Sequence, residues 1–453
     1  MNKKTPHTAR YLAIHCLCRL NKTGQPVTTL FDALIDKCPP ENRERRLAFH
    51  LLYGVLRHYQ TLDHLLGGFL KKPVKKLHPV ALQGLRVGCY QLLFLDKIPE
   101  SAAVNETITA LKRLRLPRHL TGLVNGVLRT LTRKRQNLPD PCVLESGNEP
   151  ILNHPQWLTD RWRKRYGTDE MIRICRANNQ PATCVLRLNP SVINREDYGR
   201  QLAEQGIGSR KGHLAPDALL LPDFTESITT LPGYGSGSFM IQDEGAQLVT
   251  CLLSPLQEKG RYLDGCGGLG GKTAHLAHLG REQQIHISCV EPQKHRYHLL
   301  LDNINRLRLN QAVTPHQHTL EDFAGNSPQP FDGVLLDVPC SGTGVIGRHP
   351  DIRWNRKEND LVTYPKRQLE LLEHGARLVR PGGVLVYATC SLEPEENDEV
   401  INCFLDQHQH FRLNDCSPSL PETARHLVRH KCLHIRPAND IDGFFGARLI
   451  RKK

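Results

Sequence analysis

Two cysteines stand in small-residue turns, each just beyond an apolar run: Cys340 in Leu336-Asp337-Val-Pro-Cys340-Ser-Gly-Thr-Gly344 and Cys390 in Tyr387-Ala-Thr-Cys390-Ser391. A third run, Tyr262-Leu263-Asp264, leads into Gly265-Cys266-Gly267-Gly268-Leu269-Gly270-Gly271-Lys272-Thr273. If these runs are strands of one open α/β sheet, their carboxyl ends open onto a single crevice, where such sheets bind ligands. Two of the three ends then deliver a thiol.

The glycine cluster admits three readings. A nucleoside-triphosphate loop requires glycine, four intervening residues and then Gly-Lys-Thr, and Cys266 occupies the first place, so the match fails. Gly265, Gly267 and Gly270 satisfy a dinucleotide fingerprint, with Glu291 at a suitable distance. The third reading places Asp264 against a cationic amino group of an adenosyl ligand and Glu291 against its ribose hydroxyls, which suits S-adenosyl-L-methionine. Paired thiols decide between the last two. Hydride transfer has no use for them, whereas methyl transfer to carbon 5 of cytosine does. That carbon is a poor nucleophile until a thiolate adds at carbon 6, and a second group must then remove the carbon-5 proton.

The elements that would position these groups run regularly from Arg261. Strands are expected at 261–264, 285–290, 312–317, 332–337 and 383–388, helices at 271–279, 293–307, 363–380 and 395–406, and a closing strand at Gly443 to Ile450. Upstream, residues 6–135 read as helical, with segments at Ala9–Leu20, Arg45–His58, Thr61–Leu70, Ala81–Leu95, Ser101–Leu114 and Leu120–Thr132, and Ser101 as an N-cap. Residues 136–156, with Pro139, Pro141, Gly147, Pro150 and Pro155, read as a linker. Two helices follow, then short strands at Cys184–Asn189, Ala218–Leu221 and near Ile228, with a helix at Glu196–Gln205. The expected domains are 1–140, helical; 141–238, linker helices and a small α/β region; and 239–453, a Rossmann-like doubly wound catalytic domain.

Charge is unevenly placed. Residues 1–140 hold 24 Lys plus Arg against nine Asp plus Glu, so this third of the chain carries the whole excess behind a net charge of +14. A basic module beside a near-neutral one points to a polyanionic substrate, most simply nucleic acid. Lys71 to Lys76, Lys112 to Arg118 and Arg129 to Arg135 are candidate phosphate contacts. Arg348, His349, Arg353 and Trp354, just past Cys340, are candidates to guide phosphate or stack on a base, with a packed, structural Trp354 as the alternative. The 15 cysteines lack disulfide or zinc spacing. No metal site is expected. With no signal-peptide form in Met1 to Pro6 and no long apolar run, the chain reads as cytoplasmic.

The blocks Asp337-Val-Pro-Cys340-Ser-Gly-Thr-Gly with Arg348-His-Pro-Asp351-Ile-Arg-Trp354, and Tyr387-Ala-Thr-Cys390-Ser-Leu-Glu-Pro-Glu395-Glu-Asn397, resemble signature blocks of the NOL1/NOP2/Sun family of RNA cytosine-5 methyltransferases. The helical region resembles the NusB-like RNA-binding domain carried by bacterial members that methylate 16S ribosomal RNA, and the middle region resembles the family's RNA-recognition segment. The resemblance implies Cys390 as nucleophile, Cys340 as the group assisting proton removal and release, Asp337 orienting the cytosine and Lys272 as a polar contact beside it. It implies an S-adenosyl-L-methionine site formed by Asp264, Cys266, Gly267, Gly268, Leu269, Gly270, Gly271, Lys272, Glu291 and Asp337. A third acid is assigned to Asp322, with Glu321 as its alternative. The implied partner is 16S rRNA or a partly assembled small ribosomal subunit, with no membrane and no obligate protein partner, and a monomer is expected. One departure stands out: Gly267, Gly268 and Leu269 replace the family's usual Ala-Ala-Pro, which predicts a softer loop and lower cofactor affinity. The competing expectations are a non-catalytic RNA-binding or ribosome-assembly factor and a nucleotide-dependent oxidoreductase.

Overall fold

The computed structural model describes residues 7–36, 39–141, 143–146, 149–326 and 329–453. Met1 to Pro6 and the linker's Gly147 lie outside the described residues. Contacts group the described residues into two compact units. The first is the described part of residues 1–180 with Ile346–Arg356, and the second is Pro181–Val345 with Lys357–Lys453.

The first unit is helical: Ala9–Thr23, Val27–Ile35, Asn42–Arg57, Tyr59–Gly67, Pro79–Phe94, Glu100–Arg113 and Arg118–Lys134, then Gln156–Tyr166 and Thr168–Asn179. Leu12, Leu51, Leu85, Leu111 and Leu128, drawn from five of these helices, are fully buried in one core. Ser101 is not the cap expected of it. The helix starts at Glu100 with Pro99 in the cap position and no side-chain bond, because proline just ahead of a helix already presets the entering backbone. The expected linker contains a short antiparallel pairing of Glu145–Ser146 with Glu149–Pro150.

Ile346–Arg356 is built into this helical unit. Arg353 is fully buried and donates to Asn153 O at 3.0 Å, Asn179 Oδ1 at 2.5 Å and Asn178 O at 2.7 Å. Trp354 Nε1 donates to Leu56 O at 2.8 Å, and its ring lies 5.2 Å from that of Tyr59. Arg353 holds the unit together, which corrects the expectation that it meets RNA, and Trp354 takes the packed, structural alternative; His349 remains exposed. Replacing Arg353 with Leu leaves three acceptors, two of them buried, without their donor. The helical unit is expected to lose about 3 kcal/mol, read by chemical denaturation, whereas a surface arginine would change it by less than about 0.5 kcal/mol.

In the second unit a small antiparallel sheet runs Arg210–Lys211, Ala218–Leu221, Cys184–Leu188, Phe239–Ile241. Phe239–Ile241 pairs with Cys184–Leu188, so the run expected to open the catalytic domain closes this small sheet instead; Phe239 and Met240 are buried there while Ile241 faces out. Ile228 lies in a 3-10 turn, Ile228–Thr230, not a strand. The helix Arg195–Glu204 is capped by Asn194, whose side chain accepts from Asp197 N at 2.9 Å.

The large sheet has the order Val428–Arg429, Cys432–Ile435, Phe444–Arg451, Val379–Thr389, Phe331–Asp337, Arg261–Asp264, His286–Val290, Val313–His316. From Val379–Thr389 onward the pairs are parallel, and the closing strand Phe444–Arg451 is antiparallel. Val334, Leu335, Leu336, Leu385 and Val386 are fully buried, as continuous apolar runs covered on both faces must be. This is the Rossmann-like doubly wound domain expected. Short strands Phe411–Asn414 and Cys432–Ile435 at its antiparallel side add to the sequence reading.

Candidate active site

Chain order reverses between Arg261–Asp264 and Phe331–Asp337, the neighbouring parallel strands at the centre of the sheet. Helices depart from this point to opposite faces, so the strand ends are left open there. Asp337 registers with Ala388, one residue before Thr389 and two before Cys390. Asp264, Asp337 and Cys390 therefore end three adjacent strands.

The two thiols meet: Cys340 Sγ lies 3.3 Å from Cys390 Sγ, and both residues are partly exposed. The hydrogen bond to Cys390 pushes the Cys340 thiol well above its ordinary range, burial adds to this, and the charges of Glu396 and Asp337 act in the same direction. At this approach the pair can share a proton, with either sulfur able to donate it. Lys272, on the first turn of the helix Gly271–Leu279, donates to Asp337 Oδ2 at 2.5 Å. Burial alone would lower the ammonium, yet Asp337, Asp264 and Cys390 outweigh it and the net shift is upward. Lys272 is therefore a fixed positive charge at the crevice.

Asp264 is 1% exposed, and its oxygens accept Thr273 Oγ1 at 2.7 Å and Cys266 N at 3.3 Å. Burial raises its carboxyl to about 6, with those two bonds opposing the rise. Cys266 is held as a thiol by burial and by the surrounding carboxylates. Glu291 is 4% exposed; Oε1 accepts Gln293 N at 2.8 Å, and Oε2 faces Arg296 Nε at 3.9 Å, too far for a hydrogen bond. A buried carboxylate oxygen with spare acceptor capacity, beside a glycine loop that opens a helix, fits the ribose and amino acid portions of S-adenosylmethionine.

The glycine loop is tied along its length. Gly265 N donates to Leu335 O and Gly267 N to Val290 O, both at 2.9 Å, while Asn303 Nδ2 donates to Leu269 O at 3.0 Å. Gly267 stands where an added Cβ would lie 2.2 Å from Cys289 Sγ, and Gly268 has φ +58°. The missing alanine is thus matched by the bulk of Cys289. Gly267→Ala should overpack this corner and cost about 2 kcal/mol in thermal or chemical unfolding. Adding Cys289→Ala should recover at least half of that loss.

Asp322 is not drawn into this cluster. It is exposed, and its carboxylate accepts Thr319 Oγ1 at 2.8 Å while Thr319 Oγ1 accepts Asp322 N at 3.1 Å, a reciprocal cap on the helix Leu320–Asn326. Its alternative Glu321 is ion-paired with Arg367 at 2.5 Å. The sequence reading also passed over Thr273, Ser341, Ser391 and Gln368, whose bonds hold the loops that carry Asp264, Cys340 and Cys390.

Comparison with known proteins adds to this geometry. A family model described as 16S rRNA methyltransferase RsmB/F matches residues 250–450, the NusB family model matches 7–133, and a ferredoxin-like domain of the RsmF/B-like type matches 154–226. The probable ribosomal RNA small subunit methyltransferase B of Bacillus subtilis is 33% identical over 458 residues, covering 99% of this chain and 100% of that protein. The crystal structure of PH0851 matches over 100% of both chains with a TM-score of 0.77 at 24% identity, a likeness of fold. A methyltransferase homolog protein from Pyrococcus horikoshii covers 66% of this chain and 96% of its own at a TM-score of 0.55 and 27% identity.

Proposed function

The chain belongs to the RsmB/F family of 16S rRNA methyltransferases, and from that premise we propose that it methylates carbon 5 of a specific cytidine in 16S rRNA through a covalent cysteine–cytosine adduct. It is an S-adenosylmethionine-dependent enzyme that acts on RNA. When bound, that cofactor supplies an electrophilic methyl group. Glu291 would hold its ribose, the backbone of residues 266–271 would border it, and Asp264 would shape the loop from behind.

The single observation that supports the adduct is the 3.3 Å approach of two sulfurs at adjacent strand ends. With the shared proton on Cys340, the Cys390 sulfur is the one available to add at carbon 6, where Lys272 offsets negative charge. Asp337 accepts from the exocyclic amino group of the cytosine, a donor that uracil lacks. As Cys390 adds, Cys340 gives its proton to the ring nitrogen N3; after methyl transfer the Cys340 thiolate takes the carbon-5 proton, Cys390 leaves as a thiolate and the N3 proton is lost to solvent. The target base must leave its stack to reach this crevice.

In this reading residues 1–140 bind RNA through phosphate, the region from 141 through the strand Phe239–Ile241 helps recognise it and the remainder does the chemistry. The protein works in the cytoplasm on 16S rRNA or a partly assembled small subunit, as a monomer. No helix among the described residues is long and apolar enough to cross a membrane. The test is transfer of labelled methyl from S-adenosylmethionine to protein-free small-subunit rRNA and to assembly intermediates, followed by nucleoside analysis. Labelled 5-methylcytidine on either is the expected result, and label on neither sinks the proposal.

A further inference from the structure

Behind the two thiols lies a carboxylate that neither chemical step uses. Glu396 is fully buried at the end of the turn Pro394–Glu396. Its Oε1 accepts the Ser341 backbone N–H at 2.8 Å and Gln368 Nε2 at 2.9 Å. Its Oε2 accepts the Ser391 hydroxyl at 2.5 Å and also the Ser341 hydroxyl. Ser341 and Ser391 directly follow Cys340 and Cys390 in the chain. One side chain therefore grips the residue after each thiol.

The arrangement is costly unless it does something. A buried carboxylate loses its hydration, and among the described residues no Lys or Arg forms an ion pair with Glu396, so only hydrogen-bond donors offset that loss. Packing alone would be served by a neutral side chain of the same size. The surroundings fix the carboxylate in turn: Tyr387 OH donates to Glu396 O at 2.6 Å, and Gly344 N donates to Cys390 O at 2.9 Å across the same two loops.

We propose that Glu396 is a positioning residue for the two-thiol reaction: by tying Ser341 to Ser391 it sets the separation at which one thiol adds to the cytosine while the other stays within reach of the adduct. This rests on the cytosine-5 reading above. A shift of about 1 Å between reacting groups is enough to cost on the order of a hundredfold in rate.

The geometric part is measurable without turnover. Phenylarsine oxide condenses with two neighbouring thiols and releases one water, so the chelate it forms in excess of that in a Cys390→Ser control reports the Cys340–Cys390 gap in the full chain. Glu396→Ala should weaken this chelate about tenfold and lower kcat about a hundredfold, with KM for S-adenosylmethionine unchanged within about twofold. Glu396→Gln should restore both to within about threefold. Its amide oxygen can accept from Ser341 N and Gln368, and its NH2 can donate to the two serine oxygens. If Glu396→Ala does not fold, Ser341→Ala combined with Ser391→Ala removes two of the four donors to Glu396 less drastically and should weaken the chelate severalfold. Wild-type chelation and turnover in these variants overturn the proposal, as does loss of S-adenosylmethionine binding in step with turnover, which marks a general folding role. A chelate that follows this pattern in a protein unable to methylate cytosine keeps the positioning role and removes the cytosine reading alone.

Discussion

Replacing Cys390 with Ala is expected to abolish methyl transfer, by about 10⁴-fold or more, and to leave no protein–RNA adduct, whereas Cys340→Ala is expected to accumulate one. The asymmetry follows from the proposed division of roles. The hydrogen bond to Cys390 and burial push the Cys340 thiol up, and the Cys390 sulfur, 3.3 Å away, is the proposed nucleophile. Without it, carbon 6 receives no thiolate and carbon 5 stays unreactive. Without Cys340 the addition and the methyl transfer proceed, but the carbon-5 proton has no base placed to take it and the adduct persists. A denaturing gel of protein mixed with labelled RNA and S-adenosylmethionine separates the two variants. Retained adduct in the Cys390 variant, or none in the Cys340 variant, would reverse or remove the division of roles.

The catalytic domain was legible because its strands are buried on both faces. Val334 to Leu336 and Leu385 to Val386 form apolar runs that end in Asp337 and in Thr389-Cys390, and the structure makes them neighbouring strands with those ends aligned. The helix Val27–Ile35 was not legible. Pro26 in its cap position makes no side-chain bond, and the first helical N–H is met by Asp351 Oδ2 at 3.0 Å, from 324 residues away. No local pattern can carry a cap of that separation.

The same distance effect misassigned Arg353 and left Trp354 open between stacking on a base and packing. Beside Cys340 in sequence, a guanidinium and an indole look like RNA contacts, yet their partners are Asn153, Asn178, Asn179 and Leu56. Glu396 illustrates the converse. It stands inside a recognisable block, but its role depends on Ser341, 55 residues away, and Gln368, 28 residues away. Sequence spacing marks the residues that face the reaction better than those that hold them.

Asp337→Asn should reduce kcat/KM for RNA by about 10³-fold while binding S-adenosylmethionine within a few-fold of the wild type. At a strand end, 29% exposed, its carboxylate accepts from Lys272, itself 12% exposed, at 2.5 Å. Removing one partner of a largely buried pair strands the other charge, at a cost of about 2–4 kcal/mol after allowance for partial exposure. A loss of turnover in either single variant is therefore ambiguous between stability and chemistry. The double variant Lys272→Met with Asp337→Asn resolves it, because no charge is left stranded and stability should return most of the way to wild type. Turnover should not return, since the carboxylate proposed to meet the cytosine amino group is reduced to a neutral, weaker amide acceptor and the cation near Cys390 is gone. Recovery of turnover together with stability would make the pair a structural strut and would leave cytosine selection to other residues.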